Sequence, residues 1–166
     1  SSAASDVYKR QDMAEIGERD RSESPIVIAE DSPLLSKLIT DCLKKAGYTH
    51  LVVCADGEEA WDKLCEFRDG GNLDSKVHLI ITDIEMPRMD GHRLTKLVKE
   101  DENLKHIPLV IFSSMVNDDL RRKGEALGAD AQLTKPEIGK LVDAIDKLLD
   151  ERGRRLAEKA ARSNIA

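Results

Sequence analysis

The sequence predicts an α/β fold, a doubly wound five-stranded parallel sheet with helices on both faces. Three observations predict it. From Ile26 to Leu149, short runs of Ile, Val and Leu alternate with longer stretches whose apolar residues recur at helical spacing. The runs IVIA, LIIT and LVIF are continuously apolar, as strands are when helices cover both faces. The connections are short, so each strand reaches its parallel neighbour through a right-handed helical crossover.

Ile26 to Ala29 form the first strand. Glu30-Asp31-Ser32-Pro33 then starts a helix, because Ser32 suits the N-cap and Pro33 the first helical position. Leu34, Leu35, Leu38, Ile39, Cys42, Leu43 and Ala46 predict one apolar face, and Gly47 stops the helix. Leu51 to Cys54 is the second strand. Asp56-Gly57 turns into a helix striped by Ala60, Trp61, Leu64 and Phe67, which Gly70-Gly71-Asn72 breaks. Val77 to Thr82 is the third strand, and Leu94, Leu97 and Val98 mark a helix started near Asp90. Pro108 to Phe112 is the fourth strand. Asn117 caps a helix carrying Leu120 and Leu127, which Gly128 stops. Ala131 to Thr134 is the fifth strand, and Ile138, Leu141, Val142, Ile145, Leu148 and Leu149 stripe the last helix.

Three segments follow from this pattern. Residues 1–24 are Ser-rich and charged, with no sustained apolar period. Their start, SSAASDVYKRQ, reads as cloning or sequence-assembly residue, Met13 to Ile16 as the last turn of an upstream helix, and Arg19 to Ser24 as linker. Residues 25–150 form the domain. Residues 151–166 continue as a charged helical extension with little apolar face, expected to be solvated and to fray.

Composition narrows the function. Of 166 residues, 40% are hydrophobic and 3% aromatic, so the core is aliphatic. The net charge of −6 opposes nonspecific nucleic-acid binding and suits a site that collects a divalent cation. Cys42, Cys54 and Cys65 have neither zinc nor disulfide spacing and read as small buried hydrophobes. No run is long enough to cross a bilayer and no signal peptide is visible, so a cytoplasmic protein is expected. Dinucleotide and P-loop motifs are missing.

Ligands of open parallel sheets sit beyond the carboxyl ends of the strands. There the first strand ends on Glu30-Asp31, the third on Asp83, the fourth on Ser113-Ser114 and the fifth on Lys135-Pro136. Alone, each has a bland role as a cap or turn residue. Together, three acids would repel one another unless a hard divalent cation joined them. A carboxylate nucleophile, Mg²⁺, a lysine and a hydroxyl suit phosphoryl transfer onto an aspartate.

IVIAEDS, LIITDIEMPRMDG, VIFSSM and LTKP occur in this order. With them the chain resembles the receiver domain of two-component response regulators over about residues 25–150. The resemblance implies a flavodoxin-like sheet in the order 2-1-3-4-5, which the chemotaxis regulator CheY exemplifies. It implies that Asp83 accepts a phosphoryl group from a phosphohistidine of a CheA-like histidine kinase. Asp31 would ligate Mg²⁺ directly, Glu30 through water, and Glu85 through its backbone carbonyl. Ser113 would hydrogen-bond the phosphoryl group, Lys135 would pair with it, and the Lys135–Pro136 bond would be cis. The protein would be a phosphorylatable switch that promotes only its own phosphorylation and slow dephosphorylation. His50, His78, His92 and His106 match no constellation and read as surface or structural.

The chain departs from the family pattern in places. Glu30-Asp31 stands where Asp-Asp is commoner. Glu85 brings a carboxylate two residues after the acceptor. Gln132 stands where many receivers carry a switching aromatic. IAEDSPLLSKLITDCLKKAGY and KGEALGADAQLTKPEIGKLV are similar to the receiver half of CheV-type chemotaxis adaptors. In that family a CheW-like coupling domain to the receptor–kinase complex precedes the receiver. It is not contained in this sequence, so residues 12–24 would be the remnant of its linker. Two other readings compete: a pseudo-receiver that binds partners without phosphorylation, and a phosphatase of the haloacid-dehalogenase type. The latter is opposed by Glu as the second acid of Asp83-Ile84-Glu85 and by the lack of a cap domain.

Overall fold

The sheet forms from four- and five-residue strands whose side chains leave alternate faces. The structure, a computed structural model, describes residues 19–114 and 117–165. The leader and upstream-helix segments read from the sequence lie outside the described residues. The strands are β1 (Ile26–Ala29), β2 (Leu51–Cys54), β3 (Leu79–Thr82), β4 (Leu109–Ser113) and β5 (Ala131–Thr134), all parallel in the order β2-β1-β3-β4-β5. The predicted order holds. β1, β3 and β4 are buried throughout, whereas edge strands β2 and β5 are only partly covered.

Five helices wrap the sheet: α1 (Pro33–Ala46), α2 (Gly57–Asp69), α3 (Gly91–Glu100), α4 (Asp118–Leu127) and α5 (Ile138–Ile165). The helix starts predicted at Ser32, Asp90 and Asn117 are in place. Ser32 accepts from Leu35 N, Asp90 from Arg93 N and Asn117 from Leu120 N. Gly47 and Gly128 end α1 and α4 in the left-handed conformation. A single turn, Leu73–Lys76, and two 3₁₀ turns, Arg21–Glu23 and Lys135–Glu137, complete the elements.

Alternation splits the core in two. Ile26, Ile28, Leu79, Ile81, Val110 and Phe112 face α1 and α5 through Ile39, Leu43, Leu141, Ile145 and Leu149. Val27, Ala29, Ile80, Leu109 and Ile111 face α2 and α3 through Ala60, Leu64, Leu94 and Val98.

The predicted apolar face of α1 needs correction. Ile39 and Leu43 are buried, but Leu34 is 78% and Leu38 50% exposed. Seven positions span a wider arc than one flat sheet face can cover, and the stripe runs through Ile39 and Leu43. All three cysteines are free; Cys54 is buried, and Cys42 and Cys65 are half-buried. Among the histidines, His92 is buried and the other three lie at or near the surface. No helix among the described residues is long and apolar enough to cross a membrane.

Candidate functional site

Strand register builds the site. Ala29 pairs with Thr82, so the next residues, Glu30 and Asp83, leave adjacent strands together. Ser113 pairs with Thr134, which puts Lys135 one residue further along the same edge. The backbone N–H of Asp83 still donates to Ala29 O at 3.0 Å, and that of Glu30 to Cys54 O at 3.0 Å. The acids are therefore mounted on the ends of the ladder rather than on free loops.

Glu30, Asp31 and Asp83 each offer an oxygen, all within 4.8 Å of one another. Glu30 and Asp83 are buried and Asp31 is exposed. Lys135 Nζ lies 2.9 Å from Asp83 Oδ2 and 2.7 Å from Glu30 Oε1, bridging the two buried carboxylates. Asp83 Oδ1 accepts from Ile84 N at 2.7 Å, and Glu30 Oε2 from Ser32 N at 3.1 Å. Burial raises the pKa of Glu30, and the charge of Asp83 adds to it, against the Lys135 ammonium and Ser32 N–H. For Lys135 burial opposes the charge, but its bonds to Glu30 and Asp83 outweigh burial and hold its pKa above the ordinary lysine value.

Ser113 is buried at the end of β4 and, with Ile84, Leu120 and Gln132, lines a void of about 20 Å³. Glu85 turns its side chain to solvent. Among the described residues its carboxylate is not part of the cluster that Glu30, Asp31 and Asp83 form. Gln132 donates from Nε2 to Arg121 O at 2.8 Å and tethers β5 to α4. Its amide fills the space that the missing side chain of Gly124 leaves open.

The expected cis Lys135–Pro136 bond is not found. No peptide among the described residues is cis. Lys135–Glu137 forms a 3₁₀ turn that runs directly into α5, and a trans proline suits such a helical first turn.

Three hard carboxylates at one sheet edge match the oxygen-donor chemistry of a divalent cation of the Mg²⁺ class, so the residues fit that group. Sequence reasoning found the carboxylates and the lysine because each ends a strand. It missed the backbone donors Ile84 N and Ser32 N. It also missed the pairing of Asp56 with Arg88, since Asp56-Gly57 reads as an ordinary turn.

A parallel sheet in the order 2-1-3-4-5 with acids and a lysine at its carboxyl edge defines a class of doubly wound domain. The chain belongs to that class: residues 26–146 match the response regulator receiver domain family. Among its relatives is chemotaxis protein CheV3 of Helicobacter pylori, 29% identical over 80% of this chain. The chain spans 43% of CheV3's length. The polar-differentiation response regulator DivK of Brucella anthropi is 31% identical, over 76% of this chain and 96% of DivK. A solved signal receiver domain of a signal transduction histidine kinase from Syntrophus aciditrophicus superposes with a TM-score of 0.67. It is 28% identical, over 77% of this chain and 91% of that one. The domain is thus a receiver of the two-component type, with chemotaxis proteins of the CheV kind among its relatives.

Proposed function

We propose that Asp83 accepts a phosphoryl group in an Mg²⁺-dependent reaction and that the domain thereby acts as a switch in chemotaxis signalling. The observation that carries this reading is the bridge of Lys135 between two buried carboxylates at the carboxyl edge of a receiver sheet. The phosphodonor is a phosphohistidine of a histidine kinase of the CheA type. An Asp83 carboxylate oxygen attacks phosphorus, the phosphorus–nitrogen bond breaks, and its electron pair leaves with the imidazole. An acyl phosphate remains on Asp83.

The chain's own groups divide the work. Ile84 N–H orients the Asp83 carboxylate. Lys135 moves its charge from the carboxylates to the equatorial phosphoryl oxygens, and the Ser113 hydroxyl donates to one of them. Asp31, Asp83 and the Glu85 carbonyl would hold Mg²⁺, with Glu30 reaching it through water, and the bound ion would supply positive charge against the carboxylates and the incoming phosphoryl group. The protein turns over no separate substrate; it is modified and slowly loses the modification. That the Glu85 carboxylate stands apart from the cluster of Glu30, Asp31 and Asp83 supports this reading over a pseudo-receiver.

As a cytoplasmic module it would follow a coupling domain of the CheW type that joins it to a receptor–kinase complex. Residues 12–24 would belong to the linker and 151–166 would be a helical extension. Incubation with acetyl phosphate and Mg²⁺ tests the core of the proposal. The wild type should gain one phosphoryl group and Asp83→Asn none. Equal labelling of both chains rejects it, and sustained multi-turnover hydrolysis of a phosphate ester would instead indicate a phosphatase.

A further inference from the structure

The loop after Asp83 carries the one non-glycine residue among those described with positive φ, Arg88 at 65°. An L-residue keeps this conformation only where its surroundings hold it. Arg88 Nε donates to Asp56 Oδ2 at 2.7 Å. Asp56 is 3% exposed, and its other oxygen caps α2 by accepting from Glu59 N at 2.9 Å. One buried carboxylate thus ties the tip of the acceptor loop to the start of α2.

A backbone bond runs alongside. Gly57 N donates to Met89 O at 3.1 Å. A Cβ at position 57 would stand 2.4 Å from that oxygen, so only glycine allows this approach. The root of the loop is closed by Gly91 N donating to Ile84 O at 2.8 Å. Glu85, Met86 and Pro87 are thereby strung between a fixed root and a fixed tip.

We propose that Arg88 is a positioning residue: its ion pair with buried Asp56 holds the Glu85 carbonyl where a divalent cation needs it. This rests on the reading of the site as an Mg²⁺-dependent phosphoacceptor. The physical reason is preorganisation. A carbonyl already held in place adds a ligand without the entropy of ordering a loop. Asp56 is suited to the task because it stays charged. Burial works against its ionisation, but the Glu59 N–H and the Arg88 guanidinium outweigh burial and hold its carboxyl below the usual range. Glu58 Oε2, 3.9 Å from Arg88 Nε, adds a second and more exposed carboxylate to the tip.

Mg²⁺ titration by calorimetry on the whole chain tests the clamp, with the metal-free melting temperature read alongside. Arg88→Gly removes the ion pair but accepts the positive φ. Asp56→Asn keeps an N-cap but removes the charge. Each should weaken Mg²⁺ binding by about tenfold, as loss of an outer positioning partner does. The double variant should be hardly weaker than either single, because both cut the same link. Arg88→Lys, which keeps a cation, should bind more tightly than Arg88→Gly. Wild-type affinity in both Arg88→Gly and Asp56→Asn overturns the clamp while leaving the phosphoacceptor reading intact. A wild-type chain that takes up no Mg²⁺ overturns that reading, and the clamp with it.

Discussion

At the residue scale, the acceptor loop depends on the absence of one side chain. A Cβ at Gly91 would stand 1.8 Å from the backbone oxygen of Asp83. No rotamer relieves a clash with backbone, so Gly91→Ala must shift either α3 or the acceptor strand. It should cost about 1–3 kcal/mol in urea unfolding, toward the upper end. Phosphorylation should slow with it, because the displaced atom belongs to Asp83, the proposed acceptor. Wild-type stability and rate in Gly91→Ala would contradict this packing. The residues of the site were legible to unequal degrees. Glu30-Asp31, Asp83 and Lys135 each follow a strand read from the sequence, so their place at the carboxyl edge of the sheet marks them. The link from Arg88 to Asp56 joins positions 32 apart through space, and no local pattern announces it. The trans Lys135–Pro136 bond was likewise illegible, since it depends on the 3₁₀ turn that leads into α5.

At the scale of elements, the segment before β1 is bound to the domain. Arg19 and Arg21 read from sequence as linker because their carboxylate partner, Asp146, is more than a hundred residues away. Arg21 Nη2 lies 2.5 Å from Asp146 Oδ2 and Arg19 Nη2 3.3 Å from Asp146 Oδ1, both on α5. The two guanidinium groups stand 5.5 and 5.7 Å from the centroid of the Tyr48 ring. Fully buried Tyr48 donates its hydroxyl to Asp146. Asp146→Ala should cost about 2 kcal/mol, chiefly by leaving the Tyr48 hydroxyl without its acceptor. The pH dependence follows. Burial opposes the charge of Asp146, but Arg21, Tyr48 and Arg19 outweigh it and depress the pKa below the ordinary 3.8. A depressed carboxyl stabilises the fold above pH 3.8, and that stability is lost as pH falls through the folded value. Asp146→Asn should therefore flatten the acid limb of the stability curve and leave its slope above pH 5 unchanged. An unchanged acid limb would show that Asp146 is not held charged. α1 carries the opposite lesson. Leu34 and Leu38 fit a helical stripe on paper, yet a flat sheet covers a narrower arc than their spacing spans.

At the scale of the molecule, strands and helices were legible because alternation and caps repeat five times with the same period. The crossing order was not legible from periodicity, because hydrophobic pattern does not say which strands are neighbours. It came from resemblance, and the register confirms it. Residues 151–164 of α5 are largely exposed beyond the domain, with Arg152 laid back toward Asp74 at 3.7 Å. Truncation after Asp150 should change unfolding free energy by about 1 kcal/mol or less. A larger loss would make the extension part of the core. The proposed reaction makes the sheet edge a phosphoacceptor with Asp83 as its nucleophile. Peptide mass mapping after treatment with acetyl phosphate tests it most directly, in the presence of Mg²⁺ and of a chelator. One phosphoryl group is expected, on the peptide containing Asp83, with Mg²⁺ and none with chelator. A phosphoryl group on another residue, or unmodified Asp83 in the presence of Mg²⁺, would contradict it.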